Sequence, residues 1–104
     1  ERGMTLLYHP LFKADLNQAV EYYNVQIDGL GDELRDEAEE TILRIARNPQ
    51  FYGLAYANVR RARLHRFKWY AVRYELQDDG SIYILSITHG ARHPETGKDR
   101  SGLF

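Results

Sequence analysis

The sequence contains no cysteine, and no long apolar run interrupts its polar character. Without cysteine the chain can form neither disulfide bonds nor thiolate metal sites, which suits the reducing cytoplasm that we predict as its location. No apolar stretch approaches the roughly 20 residues that cross a bilayer, and no signal-like segment opens the chain. These absences favour a protein that does not span a membrane and that is stabilised by its apolar core.

Length and composition are those of one small domain. The 104 residues are 43% apolar, enough for a modest core without covalent cross-links. Glu1, Arg2 and Gly3 precede Met4, and we treat these three residues as a remnant of expression. We therefore expect a single domain over residues 4–104.

Charges of both signs are present, but they are unevenly distributed along the chain. Residues 1–50 carry five Lys/Arg against ten Asp/Glu, a net charge of −5, whereas residues 51–104 carry nine against five, a net charge of +4. Because a basic region can attract a polyanion even when the total charge is only −1, the second half could bind nucleic acid or an acidic peptide.

Two amphipathic helices are predicted in the first half. Apolar residues recur at intervals of three and four from residue 11 to about 28, and a second helix is expected from Asp32, as its N-cap, to the Asn48-Pro49 step. Gly29 and Gly31 are expected to end the first helix, so that the two helices form an antiparallel hairpin. The predicted inner faces consist of Leu16, Val20, Tyr23, Ile27, Leu34, Ala38, Ile42 and Ile45.

Four strands are predicted around this hairpin. They lie at about 5–9, 58–66, 69–77 and 81–89, with a linker at 51–57. Alternation in the third strand and the Asp-Gly step of QDDGS predict that the last two strands form a β-hairpin. The side chains expected to face the helices are Ala62, Leu64, Tyr70, Val72 and Tyr74. The element order β-α-α-β-β-β predicts an α+β fold in which a helical hairpin packs on a mostly antiparallel four-stranded sheet.

The segment VRRARLHRFKWYAVRY, residues 59–74, contains six Lys/Arg and no carboxylate. On an extended strand Arg61, Arg63 and His65 would share the face that points away from the helices, beside Arg73 of the next strand. Clustered cations of this kind would bind a phosphate backbone or a carboxylate-bearing peptide. The alternative is a solvated surface that is partly paired with Glu75 and the acidic helices.

The ordered set of elements and segments resembles the RelE/ParE superfamily of toxins from type II toxin–antitoxin, or plasmid stabilisation, modules. The segments that carry the resemblance are ADL in the first helix, NP after the second, the arginine-rich strand that leads into FKWYAVRYEL, and the closing ITHGARHPETGKDR. The similarity covers nearly the whole chain from Met4 to Arg100. It implies this fold, growth arrest, and a cognate antitoxin encoded alongside as partner.

The superfamily implies two different targets. RelE-type members cut mRNA in the ribosomal A site, whereas ParE-type members poison DNA gyrase. A metal-free RNA cut needs a base, an acid and cations around the phosphate. RelE resemblance implies two basic residues matched by Arg61 and Arg63, an arginine where this chain has Ala71, and a basic residue matched by Arg92 or His89. It also implies a C-terminal tyrosine that has no counterpart here.

Histidines are further acid–base candidates, because imidazole titrates near neutral pH. His65 and His89 are the two candidates, each with the alternative of a hydrogen-bonded structural residue, while His9 is expected to end the first strand. The four histidines lack HxH or HExxH spacing, so we predict no metal and no cofactor. The catalytic candidates of a nuclease are Arg61, Arg63, His65, His89 and Arg92, and the candidates for target or antitoxin binding are Arg61, Arg63, Arg73 and Arg92.

The segment HGAR at 89–92 resembles the ParE branch more than the nucleases. We therefore favour a gyrase poison that is not an enzyme, with a RelE-like, metal-independent endoribonuclease as the alternative. A non-toxic RNA-binding domain is a third hypothesis, although the sequence has neither the RNP aromatics nor the GXXG loop of common RNA-binding modules.

Overall fold

The computed structural model describes residues 5–90, which form two helices packed on one five-stranded sheet. The elements are β1 (Leu6–Tyr8), α1 (Phe12–Gln26), α2 (Leu30–Arg47), β2 (Leu54–Tyr56), β3 (Val59–Arg63), β4 (Tyr70–Leu76) and β5 (Ile82–His89). The sheet order is β1-β5-β4-β3-β2, with β1 parallel to β5 and the other pairs antiparallel. The predicted α+β fold is confirmed, with one strand more than expected. Neither helix of this part of the chain is long and apolar enough to cross a membrane.

The additional strand, β2, lies in the segment that was predicted to be a linker. It pairs with β3 at the edge of the sheet, where Tyr56 lies opposite Val59. Ala57, in the turn between these strands, has a φ of 43°, a left-handed conformation that glycine and asparagine adopt more readily. Because the turn lacks an Asn-Gly or Asp-Gly signal, the sequence did not indicate this hairpin.

The helix hairpin forms as predicted, but α2 begins at Leu30, two residues before the predicted cap Asp32. Gly29, with a φ of 85°, precedes the helix, and Gly31 lies inside its first turn. A Cβ on Gly31 would lie 2.0 Å from the carbonyl oxygen of Val20 in α1. Gly31 therefore does not break the chain but allows the two helices to approach each other.

The core lies between the helix hairpin and one face of the sheet. Leu64 and Val72, on which the predicted register depends, are 1% and 0% exposed. The predicted helix residues also pack in this core, except Ile27, which is 62% exposed. That assignment was wrong because α1 ends at Gln26 and the chain becomes extended at Ile27.

The strand predicted at 58–66 is shorter in the structure. β3 ends at Arg63, and the chain then forms the β3–β4 loop, residues 64–69. Phe67 anchors this loop in the core by an edge-to-face contact with Tyr23, with the ring centroids 5.2 Å apart. The predicted hairpin turn between β4 and β5 is present, with Gly80 at a φ of 89°.

The opposite face of the sheet is not fully open. Val59, Tyr83 and Leu85 form a second, smaller cluster there, and Arg73 and Glu75 are also buried. Tyr83 and Leu85 come from β5, which lies between β1 and β4. The apolar side chains on both faces of this strand are those expected of a strand with neighbours on both sides and a cluster on each face.

Candidate functional site

The register of β3 and β4 brings three arginines together on the sheet face that points away from the helices. Arg61 lies directly opposite Arg73, and Arg63 lies opposite Ala71. Arg61 and Arg63 are exposed, whereas Arg73 is buried at the centre of β4. Like charges at directly opposed strand positions repel each other, so this arrangement destabilises the sheet unless an anion is bound nearby.

These arginines line a pocket of about 360 Å³, which we call the arginine pocket. Its walls come from β2, β3, β4, the end of the β3–β4 loop and the residue after β5. The described residues that line it are Ala55, Tyr56, Arg61, Arg63, Lys68, Trp69, Ala71, Arg73 and Gly90. Four of these carry a positive charge and none is an aspartate, glutamate or histidine. The pocket is therefore suited to an anionic group.

Arg73 contributes a buried guanidinium to the wall of this pocket. Its Nη1 donates a hydrogen bond to Oγ1 of Thr88 at 3.0 Å, while its buried Nε has no hydrogen-bond partner among the described residues. Burial lowers the pKa of the Arg73 guanidinium, the charge of Arg61 lowers it further, and Tyr56 opposes the change. Because a guanidinium stays protonated at neutral pH, its incompletely paired charge favours binding of an anion.

His65 does not join these arginines, contrary to the predicted strand face. It lies in the β3–β4 loop beyond the end of β3, in a groove beside the acidic side of α2. Its backbone N–H donates to the Glu37 carboxylate. The prediction was wrong because the alternation of side chains stops where the strand ends, which removes His65 from the face of Arg61 and Arg63.

The remaining histidines and Arg92 lie in three different parts of the chain. His89 ends β5, stacks on Trp69 at 6.2 Å between ring centroids, and is not among the residues that line the pocket. His9 is buried directly after β1, where its Nδ1 accepts the backbone N–H of Leu11 at 3.1 Å, as suits a structural residue. Arg92 and His93 lie outside the described residues.

Sequence reasoning did not assign the pocket's lysine or its two aromatic residues. Lys68 and Trp69 belong to the β3–β4 loop, and Tyr56 belongs to the unpredicted strand β2. Lys68 and Trp69 were visible in the basic segment, but their place depends on how the loop turns after Phe67. Ala71, the position at which RelE resemblance implies an arginine, also lines the pocket.

The chemistry that this arrangement supports is binding of an anion. Four cations can attract a phosphate or carboxylate, and Trp69, which is 65% exposed, can stack on a planar group. Within residues 5–90, no group of three or more His, Asp or Glu side chains has the geometry of a metal site.

Comparison with known proteins identifies the family. A family model described as "ParE toxin of type II toxin-antitoxin system, parDE" matches residues 6–94, which is most of the chain. The chain belongs to this family of ParE toxins. The predicted resemblance to RelE/ParE toxins is thereby confirmed. No curated protein matches the sequence at a significant level.

Two solved structures share the fold of this ParE-family toxin. One, described as the chromosomal ParDE toxin–antitoxin system from P. aeruginosa, has a TM-score of 0.72 at 21% identity, over 83% of this chain and 95% of that chain. The other is a mutant of the E. coli toxin RelE in complex with an antitoxin RelB peptide. It has a TM-score of 0.63 at 10% identity, over 99% of this chain and 100% of that chain.

Proposed function

We propose that this ParE-family toxin arrests bacterial growth by poisoning DNA gyrase, as a binding protein without enzymatic activity. The observation that carries the proposal is the composition of the arginine pocket. Its described residues supply four cations but no histidine or carboxylate that could move a proton. Such a surface can hold an anionic group of a target, and binding of this kind requires neither a metal nor a cofactor.

The position of the other candidate residues supports binding over RNA cleavage. His65 lies beside α2, away from Arg61 and Arg63, and Ala71 occupies the wall position at which RelE resemblance implies an arginine. An RNA cut by the remaining groups would require an acid and a base next to the phosphate. Arg92 remains a candidate for target binding. Because gyrase acts on chromosomal DNA, the proposed place of action is the cytoplasm.

We further propose that a cognate antitoxin, encoded beside the toxin, neutralises it. Of the two structures that share this fold, one is of a ParDE toxin–antitoxin system and the other is of RelE in complex with an antitoxin peptide. An acidic segment of the antitoxin would find carboxylate anchors at Arg61, Arg63 and Arg73, and apolar anchors at the exposed hydrophobic residues around the helix hairpin. Expression of the toxin alone should therefore stop growth, and co-expression of the neighbouring small protein should restore it.

The target is tested by measuring DNA damage and mRNA loss, both in an induced culture and in purified reactions with gyrase or with ribosomes. We expect a DNA-damage response without site-specific mRNA loss in the culture. In vitro, purified toxin should cause gyrase to accumulate linear plasmid DNA that is released by detergent and protease. The same toxin should leave mRNA intact on programmed ribosomes.

The opposite pattern would contradict gyrase poisoning. Truncated mRNA on ribosomes, together with unchanged gyrase activity, would instead support a RelE-like endoribonuclease. One observation favours that second candidate: Trp69 is exposed at the rim of a pocket with four cations, an arrangement that can stack a base next to a bound phosphate. Harmless overproduction of soluble protein would count against both toxin mechanisms.

A further inference from the structure

The backbone of the β3–β4 loop is hydrogen-bonded to helix α2 through the Glu37 carboxylate. The Glu37 side chain accepts the backbone N–H groups of the consecutive residues His65 and Arg66, the latter at 3.0 Å from Oε2 and 3.3 Å from Oε1. The side chain of Arg66 also forms an ion pair with Glu33, one turn earlier on the helix. Hydrogen bonds from two successive amides to one carboxylate define the position of the loop backbone more closely than a single contact would.

The same loop supplies one end of the arginine pocket. Directly after Phe67, whose ring is buried in the core, the chain places Lys68 and Trp69 in the pocket wall on the other side of the sheet. The N–H of Tyr70 then bonds to the carbonyl oxygen of Phe67 at 2.8 Å before β4 begins. The loop is only six residues long. A shift of its backbone at His65 and Arg66 therefore also moves Lys68 and Trp69.

We propose that Glu37 is a positioning residue which holds the β3–β4 loop and thereby sets the place of Lys68 and Trp69 in the arginine pocket. Glu37 does not line this pocket and acts through the loop backbone. The inference rests on the proposed role of the pocket as an anion site, but not on the identity of the cellular target. It assigns a role in shaping the pocket to the acidic side of α2, which carries Glu33 and Glu37.

The sign of the expected effect separates positioning from general electrostatics. Glu37 carries a negative charge on the same small domain as the basic pocket, so its removal by itself would strengthen binding of an anion. A weaker anion affinity after neutralisation of Glu37 can therefore arise only if the pocket changes shape. Replacement by glutamine keeps the size of the side chain but loses the charged acceptor.

The test compares Glu37→Gln with Asp36→Asn in the full-length purified toxin. Asp36 borders the same groove on α2, and Asp36→Asn removes the same charge as Glu37→Gln. Within the described part of the chain, Asp36 accepts no hydrogen bond from the loop. The readouts are the amide NMR resonances of His65 and Arg66, the fluorescence anisotropy of Trp69, which is the single tryptophan, and the affinity for inorganic pyrophosphate.

We expect Glu37→Gln to shift and deprotect the His65 and Arg66 amides, to lower the anisotropy of Trp69, and to weaken pyrophosphate binding roughly threefold to tenfold. Asp36→Asn should leave the amides and Trp69 unchanged and should bind pyrophosphate as tightly as the wild type or slightly more tightly. Unprotected His65 and Arg66 amides in the wild type would overturn the proposal without any variant.

Two further results would overturn it. Amide shifts with unchanged Trp69 anisotropy and unchanged affinity would show that Glu37 only stabilises the loop. An equal loss of pyrophosphate affinity in Glu37→Gln and Asp36→Asn would show that the loss does not depend on the position of the loop. If the wild type does not bind pyrophosphate, the anion site of the proposed function fails, whereas the amide and Trp69 signals still decide whether Glu37 positions the loop.

Discussion

At the scale of single residues, the arginines of the basic segment have different roles because they have different partners. Arg60 donates to the carbonyl oxygen of Tyr52 at 2.6 Å, and Arg66 pairs with Glu33. Arg61, Arg63 and Arg73 instead line the arginine pocket. Arg60 and Arg66 thus bind within the domain, whereas Arg61, Arg63 and Arg73 share one sheet face, as the sequence predicted for these three.

Tyr74 shows how burial changes the chemistry of a side chain in the core. It is fully buried in β4, and its hydroxyl donates to the carbonyl oxygen of Pro49, after the end of α2, at 2.6 Å. Burial raises the pKa of the Tyr74 phenol to about 12 from its usual value of 10.0, whereas the charge of Arg60 lowers it. The folded state therefore retains the neutral phenol at a pH at which the unfolded chain would ionise it.

We predict that this difference makes the stability of the wild type fall between pH 10 and pH 12. Below pH 10 the phenol is neutral in both states, and the full contribution of Tyr74 is present. As the pH rises toward 12, ionisation favours the unfolded state by up to about 1.4 kcal/mol per pH unit. Tyr74→Phe should unfold about 1 kcal/mol more easily at pH 7, because the hydrogen bond to Pro49 is lost.

All other titratable groups are shared by the wild type and Tyr74→Phe. The difference between their free energies of unfolding therefore reports on Tyr74 alone. Urea unfolding at a series of pH values should show the curves crossing near pH 11, with Tyr74→Phe the more stable protein above it. A difference that stays constant up to pH 12 would mean that the Tyr74 phenol titrates normally.

At the scale of elements, the contact between α1 and α2 depends on Gly31. A glycine in a helix is normally destabilising by about 1 kcal/mol relative to alanine, so propensity alone predicts that Gly31→Ala stabilises the protein. The contact of the added Cβ with the Val20 carbonyl oxygen, at 2.0 Å, predicts the opposite. We expect Gly31→Ala to lower the free energy of unfolding by about 2 kcal/mol or more, as measured by urea denaturation.

Gly53→Ala is the matched control for this substitution. A Cβ at Gly53 would meet no atom within 4 Å, and its φ is not in the left-handed region. Its stability should therefore stay within about 0.5 kcal/mol of the wild type. If Gly31→Ala changed the free energy of unfolding as little as this control, the result would contradict the close approach of α1 and α2 at Gly31.

The elements with strong periodic or turn signals were predicted, and those without them were missed. The helix hairpin, β4 and β5 were all found, because apolar spacing and the Asp-Gly turn are local properties. β2 was missed because it has three residues and follows no regular turn signal. The end of β3 was missed because Phe67 leaves the strand to enter the core and Glu37 binds the loop backbone.

At the scale of the whole molecule, the pocket and the antitoxin-binding surface should be separable. We predict that the double substitution Arg61→Ala and Arg63→Ala relieves growth arrest, because it removes two of the four cations in the pocket. Antitoxin affinity should fall by no more than roughly tenfold, about 1.4 kcal/mol, since exposed ion pairs contribute about 0–1 kcal/mol each. Growth after induction and a titration with purified antitoxin measure the two effects in one variant.

Lys13→Ala with Arg47→Ala is a control with the same loss of charge. Both side chains are exposed on the helices and neither lines the pocket, so this variant should remain toxic. Unchanged arrest by the Arg61 and Arg63 variant would mean that the pocket does not contact the toxic target. Complete loss of antitoxin binding would instead show that these arginines mainly serve neutralisation.

The sequence by itself determined the α+β class, the helix hairpin, the core-facing positions other than Ile27, and the shared face of Arg61, Arg63 and Arg73. These follow from periodicities of 3.6 and 2 residues, which are properties of neighbouring positions in the chain. Only the tertiary structure decided that His65 leaves the arginines, that Tyr56, Lys68 and Trp69 join them, and that Arg73 is buried. Those outcomes depend on where a strand ends and on contacts between residues far apart in sequence, which periodicity does not contain.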